Sequence, residues 1–140
     1  MTFNQKETAW LKEMKAQEEL CIEKYGQYAA AACDSELKTL FTNLRSTEQK
    51  HLGTLNGYLG ETSPLQTAPL PESAPSSVSG NDKLLCQDML TMEKHVSSVY
   101  DTCIFEFTDS NVRKELNHIQ SDEQKHGEQI YQYMSKNGMY

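Results

Sequence analysis

The tetrapeptide Glu-Gln-Lys-His occurs twice in this chain, at 48–51 and again at 123–126. Shifted by 75 residues, segment 18–60 overlays 93–135 without a gap and with ten identities in 43 positions. Besides the tetrapeptide, the identities are Glu18/Glu93, Tyr25/Tyr100, Asp34/Asp109, Ser35/Ser110, Ser46/Ser121 and Tyr58/Tyr133. Caps, aromatics and ionisable residues kept in register mark a duplicated unit. In a chain of 140 residues, two such units share one modest core.

Each unit reads as a helical hairpin. Leu11, Met14, Cys21, Ile22, Tyr25, Tyr28 and Ala32 recur at helical spacing, and Leu37, Leu40, Phe41, Leu44, Leu52, Leu55, Tyr58 and Leu59 do so after Asp34. The second unit repeats the pattern from Leu85 to Phe107 and from Val112 to Met134. Asp34 and Asp109 are N-cap residues that break each unit in two, and Gly138 suits a C-terminal stop. The spacing predicts four long helices near 4–32, 35–59, 81–107 and 110–136.

All four prolines fall within 60–82, together with five serines and no apolar periodicity, so this stretch is expected to be an extended connection. At about 3.1 Å per extended residue it reaches roughly 70 Å, longer than a helix of about 37 Å. It can cross the bundle from end to end. The expected architecture is therefore all-α: one domain over 1–140, a four-helix bundle in up-down-down-up order. Its parts are a first hairpin at 3–59, a crossover at 60–82 and a second hairpin at 83–137.

The apolar stripes are interrupted in matching places. Glu18 and Glu93 stand where apolar residues belong, and so do Glu48 with His51 and Glu123 with His126. Residues three apart on a helix share a face, so each Glu-x-x-His pair projects inward together. Glu18 and Glu48 are nearly equidistant from the Asp34 turn, and Glu93 and Glu123 from the Asp109 turn, which sets all four level. One such motif alone would suit a solvated helix face. Two, each in register with an inward Glu, imply four carboxylates and two imidazoles meeting at the bundle centre. A Glu from each of two helices plus Glu-x-x-His from each of the others is the ligand set of dinuclear iron and manganese carboxylate bundles. Four carboxylates balance two divalent cations, and one imidazole per metal leaves positions open. The candidate metal ligands are thus Glu18, Glu48, His51, Glu93, Glu123 and His126, and the expected cofactor is a pair of iron or manganese ions.

Tyr25 and Tyr100 lie two turns beyond Glu18 and Glu93 on the same faces. They read either as hydrogen-bonding or redox-active groups behind the ligands, or as ordinary core tyrosines. His95 and His118 fall off the inward lines and read as surface residues. Cys21 and Cys103 are expected to be core thiols near the site, not ligands, since hard carboxylate sites do not recruit soft sulfur. Trp10, Phe3 and Ile104 read as packing residues or as contacts in a homodimer.

Charge and motif content exclude several classes. Thirteen basic against twenty acidic side chains give a net charge of −7, the wrong sign for a broad nucleic-acid or anionic-membrane surface. The longest apolar stretch, 28–33, is far too short to span a bilayer. The opening residues MTFNQKETAW lack a signal-peptide layout. The four cysteines form no Cys-x-x-Cys pair, which argues against zinc-ribbon and thioredoxin-like sites and for reduced thiols in a soluble intracellular protein.

QDMLTMEKHVSSVYDTCIFEF at 87–107 and LNHIQSDEQKHGEQIYQYMSKNGMY at 116–140 resemble the spore coat protein F (Coat F) family, a branch of the ferritin-like superfamily. QEELCIEKYGQYAAAACDSELKTLFTNL resembles the equivalent hairpin of family members. The resemblance implies a ferritin-like bundle and association with other spore coat proteins, with synthesis in the mother-cell cytoplasm. The superfamily's metal ligands map onto the same six residues. Val96, one turn after Glu93, stands where rubrerythrin carries an extra carboxylate, and no iron–cysteine module follows the bundle. The resemblance thus implies a coat protein that keeps a dinuclear site. The alternative is a small oxidoreductase handling dioxygen or peroxide.

Overall fold

The computed structural model describes residues 2–73 and 80–140. Four helices carry these residues: α1 (Gln5–Ala31), α2 (Ser35–Leu59), α3 (Asp82–Phe105) and α4 (Ser110–Lys136). No strand is present among the described residues. The predicted ends hold to within about two residues because the caps fall where the sequence put them. Asp34 accepts from Glu36 N, and Asp109 from both Asn111 N and Val112 N, each satisfying amides that a first helical turn leaves free. Asn4 and Glu7 form a reciprocal capping box at the start of α1. Gly60 ends α2 at φ +67°, a left-handed conformation that other residues adopt only with strain.

The stripes pack into one core. Leu11, Met14, Phe41, Leu55, Met89, Val96, Leu116 and Ile130 are fully or almost fully buried within it. Phe3 packs edge-on against Tyr58 and Phe107, with ring centroids 5.7 and 6.0 Å away. Trp10 and Ile104 are likewise partly buried against the core, so these three residues serve packing within the chain.

Side-chain bonds between the hairpins order the helices along the bundle. Tyr100 reaches Glu18, Tyr25 reaches Glu93, and Tyr28 reaches Asp88, so rising numbers on α1 meet falling numbers on α3. Glu36 meets Lys136, His51 meets Asp122, and Tyr58 meets Glu115, giving the same opposed order for α2 and α4. Glu7, buried after capping its own helix, accepts from Thr108 N of the second hairpin.

The connection is not the featureless strand its composition suggested. A turn of 3-10 helix at Pro64–Gln66 lies within it. Glu61 pairs with Lys15, Ser63 donates to Glu19, and Pro71 lies against Gly26. Gly80 N reaches Ala31 O at the far end of α1. From α2 the chain is held by Gln49 donating to Leu65 O and by Arg45 Nη2 donating to Ala68 O and Pro69 O at 2.6 and 3.2 Å. Gly26 permits this: a Cβ there would lie 3.3 Å from both Arg45 Nε and Pro71 Cδ. Residues 74–79 of the expected crossover lie outside the described residues.

Because these contacts follow α1 along half its length, the connection has a minimum span. Cutting 60–82 to about six residues leaves a reach of roughly 20 Å against a helix of about 40 Å. We expect that variant to lose cooperative thermal unfolding by circular dichroism. Retention of the parent melting curve would refute a crossover along α1.

Candidate metal centre

One oxygen or nitrogen from each of Glu18, Glu48, His51 and Glu123 lies within 4.8 Å of the others, and the same holds for Glu48, Glu93, Glu123 and His126. The two groups share Glu48 and Glu123. All six predicted residues therefore come together at mid-bundle, each helix supplying its inward polar break. Their exposures run from 0 to 4%. The imidazoles face each other across the centre, ring centroids 6.1 Å apart and nearly parallel.

Both imidazoles turn Nδ1 toward the carboxylates. His51 Nδ1 lies 2.8 Å from Glu123 Oε1, 3.1 Å from Glu48 Oε1 and 3.6 Å from Glu18 Oε2. His126 Nδ1 lies 3.3 Å from Glu48 Oε1 and 3.5 Å from Glu93 Oε1. These approaches are short but lack hydrogen-bond direction. Both Nδ1 atoms, both oxygens of Glu48 and of Glu123, and one oxygen each of Glu18 and Glu93 are buried with no directed partner. Buried polar atoms are normally paired, and charged ones cost most when they are not. Eight orphaned donor atoms of carboxylate and imidazole type, converging from four helices, fit a pair of hard-to-borderline divalent cations.

Groups behind these residues fix their orientation. Tyr25 donates to Glu93 Oε1 at 2.7 Å and Tyr100 to Glu18 Oε1 at 2.9 Å, each tyrosine bracing the carboxylate of the opposite hairpin. Asp122 Oδ2 lies 2.9 Å from His51 Nε2. A carboxylate on the outer nitrogen sets the tautomer and raises the basicity of the inner one. Asp122 was invisible to the repeat because its counterpart is Thr47. Its adjacency to Glu123, which places it one step round the helix, was the available signal.

The remaining candidates sort by position. Cys21 is fully buried beside the cluster, and burial followed by the charges of Glu48, Glu18 and Glu93 pushes its thiol well up, so it stays protonated. Cys103 is buried too, but it lies ten residues past Glu93, about 15 Å along α3, where its charged neighbours are Glu13 and Glu106. The expectation that it borders the site is corrected: its counterpart on α1, Tyr28, lies equally far from Glu18. His95 is exposed, and His118 is largely so, 3.6 Å from Asp122.

Protons occupy this cluster in the way cations would. Burial and then the Glu48 charge raise Glu18 to about 7, and burial with three neighbouring carboxylates raises Glu123 well above its usual range. Burial alone would push Glu48 up as well, but its contacts with His126 and His51 outweigh that and hold it low. Burial depresses the imidazoles, yet neighbouring carboxylates prevail and lift His51 to about 11 and His126 to about 9. Tyr25 and Tyr100 are pushed well up by burial and then by the carboxylates they brace, and they remain phenols.

Residues 81–140 match the family model for the Coat F domain, which takes in α3 and α4. No curated protein and no solved structure matches the chain.

The proton affinities give a signed prediction. Glu18, His51 and His126 all bind protons more tightly folded than unfolded, so their contribution is complete below their unfolded pKa values. It is lost as pH rises through about 7 for Glu18 and about 9 to 11 for the imidazoles. Metal-free protein should therefore melt at lower temperature at pH 9 than at pH 6, and manganese or ferrous iron should flatten or reverse that slope by replacing the protons. Differential scanning fluorimetry with and without chelator reads both effects. A metal-free melting temperature that rises over this interval would contradict them.

Proposed function

We propose that this chain is a spore coat protein of the Coat F type, built as a ferritin-like bundle in up-down-down-up order that holds a dinuclear, carboxylate-bridged site for iron or manganese. The observation that carries the reading is the pair of overlapping donor groups, which share Glu48 and Glu123 and own one imidazole each. In this reading Glu48 and Glu123 would be shared by the two ions, Glu18 and His51 would help hold one, and Glu93 and His126 would help hold the other. Bound there, the metals would supply Lewis acidity and, for iron or manganese, one-electron chemistry. The chain's own part is to fix the donors. Tyr25 and Tyr100 hold the Glu93 and Glu18 carboxylates, Asp122 holds His51, and the apolar core toward both ends of the bundle keeps bulk water away.

The opposed order of the α1–α3 and α2–α4 bonds supports the proposed topology, as does a connection that follows α1 from Lys15 to Ala31. The Coat F match over the second hairpin supports the spore coat assignment, and the repeat extends that support to the first hairpin, whose Glu18, Glu48 and His51 copy the matched Glu93, Glu123 and His126. Other coat proteins are the proposed partners, and the coat is the proposed location. Among the described residues no helix is long and apolar enough to cross a membrane.

Replacing both shared residues, Glu48→Leu with Glu123→Leu, tests the reading. The double variant should lose metal on elemental analysis of purified protein. Stripped of metal, it should melt at or above the temperature of the stripped parent, because apolar replacement of buried like charge is commonly neutral or stabilising. Glu72→Leu, on the exposed connection, should change neither property. Parent-like metal content in the double variant would sink the dinuclear assignment.

A further inference from the structure

The duplication invites a comparison of what covers the centre on its two sides, and the two hairpins differ. On the first hairpin, Ile22 on α1 and Leu52 on α2 follow Glu18 and Glu48 by one helical turn and are buried, exposed by 1 and 0%. The positions 75 residues later are Ser97 on α3 and Gly127 on α4. Two large aliphatic side chains are thus matched by a hydroxymethyl group and a hydrogen atom. Where that bulk is missing, a groove of about 450 Å³ opens between α3 and α4, lined by Leu90, Glu93, Lys94, Ser97, Glu123 and Gly127. Glu93 and Glu123, which belong to the donor groups, line it, and their unpartnered oxygens lie beneath its surface, the two residues being only 2 and 0% exposed.

The connection adds to the contrast. It is anchored along the first hairpin by Glu61 on Lys15, Ser63 on Glu19 and Leu65 on Gln49, all flanking Glu18 and Glu48. The second hairpin carries no such strap among the described residues. At the groove the counterpart of Glu19 is Lys94, so the charge at the rim is reversed from acidic to basic.

We propose that the α3–α4 groove is the mouth of the metal centre, through which a small anion enters and binds beside Glu93 and Glu123, while the first hairpin is a sealed wall. This rests on the dinuclear reading above. The ligand class follows from the lining. The volume lies at the small end of the range for ligand pockets, Lys94 supplies a cation at the rim, and the Ser97 hydroxyl, which accepts from Gln124, keeps its proton to donate to an anion passing toward the bound metals.

Azide and cobalt(II) are the probes, because cobalt reports its coordination through visible absorption. Cobalt-loaded parent should change its visible spectrum on addition of azide. Gly127→Leu and Ser97→Ile, which restore the residues the first hairpin carries, should take up the same amount of cobalt yet lose the azide response. A Cβ at Gly127 meets Leu90 Cδ1 at an ordinary 3.7 Å, and the groove itself is the space the added side chains enter. Ser63→Ala, on the sealed side, should respond as the parent does. Should Gly127→Leu fail to fold, Ser97→Ile alone decides. Cobalt uptake separates the two claims. A parent that binds cobalt but ignores azide, or a filled variant that still responds, overturns the mouth and leaves the dinuclear reading standing. A parent that binds no cobalt overturns both.

Discussion

Four carboxylates and two imidazoles lie in the dry middle of a 140-residue bundle, and the rest of the molecule is arranged around the cost of keeping them there. Ionised groups removed from water are tolerated only when countercharge and hydrogen bonds replace what water supplied. Here the imidazoles supply part of the countercharge, Tyr25 and Tyr100 supply hydrogen bonds, and raised proton affinities at Glu18 and Glu123 supply the remainder. Eight donor atoms still lack directed partners. A chain selected for stability alone would have filled these six positions with leucine. Their survival in both halves of a duplicated unit is the physical argument for a bound cation pair.

Much of this was legible in the sequence because the informative features are periodic. Apolar stripes gave the helices, Asp34 and Asp109 gave the turns, and polar breaks at matching heights gave the six central residues. The features that stayed hidden are aperiodic. No periodicity marks Arg45, whose guanidinium donates to Ala68 O and Pro69 O where the connection folds back onto α2. Glu7 caps its own helix with one oxygen, and only the second hairpin's approach gives the other oxygen Thr108 N to hold. Asp122 escaped because it is not repeated. The burial of Cys103 follows from its apolar stripe, but ten residues past Glu93 it stands about 15 Å along α3 from the centre.

The duplication explains both the symmetry of the donors and the asymmetry of their surroundings. The six central residues, the bracing tyrosines and the capping aspartates are retained in both halves. The residues around them have diverged: Asp122 backs one histidine while Thr47 occupies the matching place, and Ile22 and Leu52 answer to Ser97 and Gly127. A symmetric ancestor would offer two equal positions and two equal approaches. In the present chain one imidazole is more strongly braced, and one side is closed by aliphatic packing and strapped by the proline-rich connection.

The central claim is that two cations sit on either side of Glu48 and Glu123, and anomalous X-ray scattering from crystals grown with manganese reads it most directly. The account predicts two anomalous peaks per chain, about 3.5–4 Å apart as in other two-metal carboxylate sites, one beside His51 Nδ1 and one beside His126 Nδ1. A map with no peak between the helices, or with a single peak outside both donor groups, would contradict it.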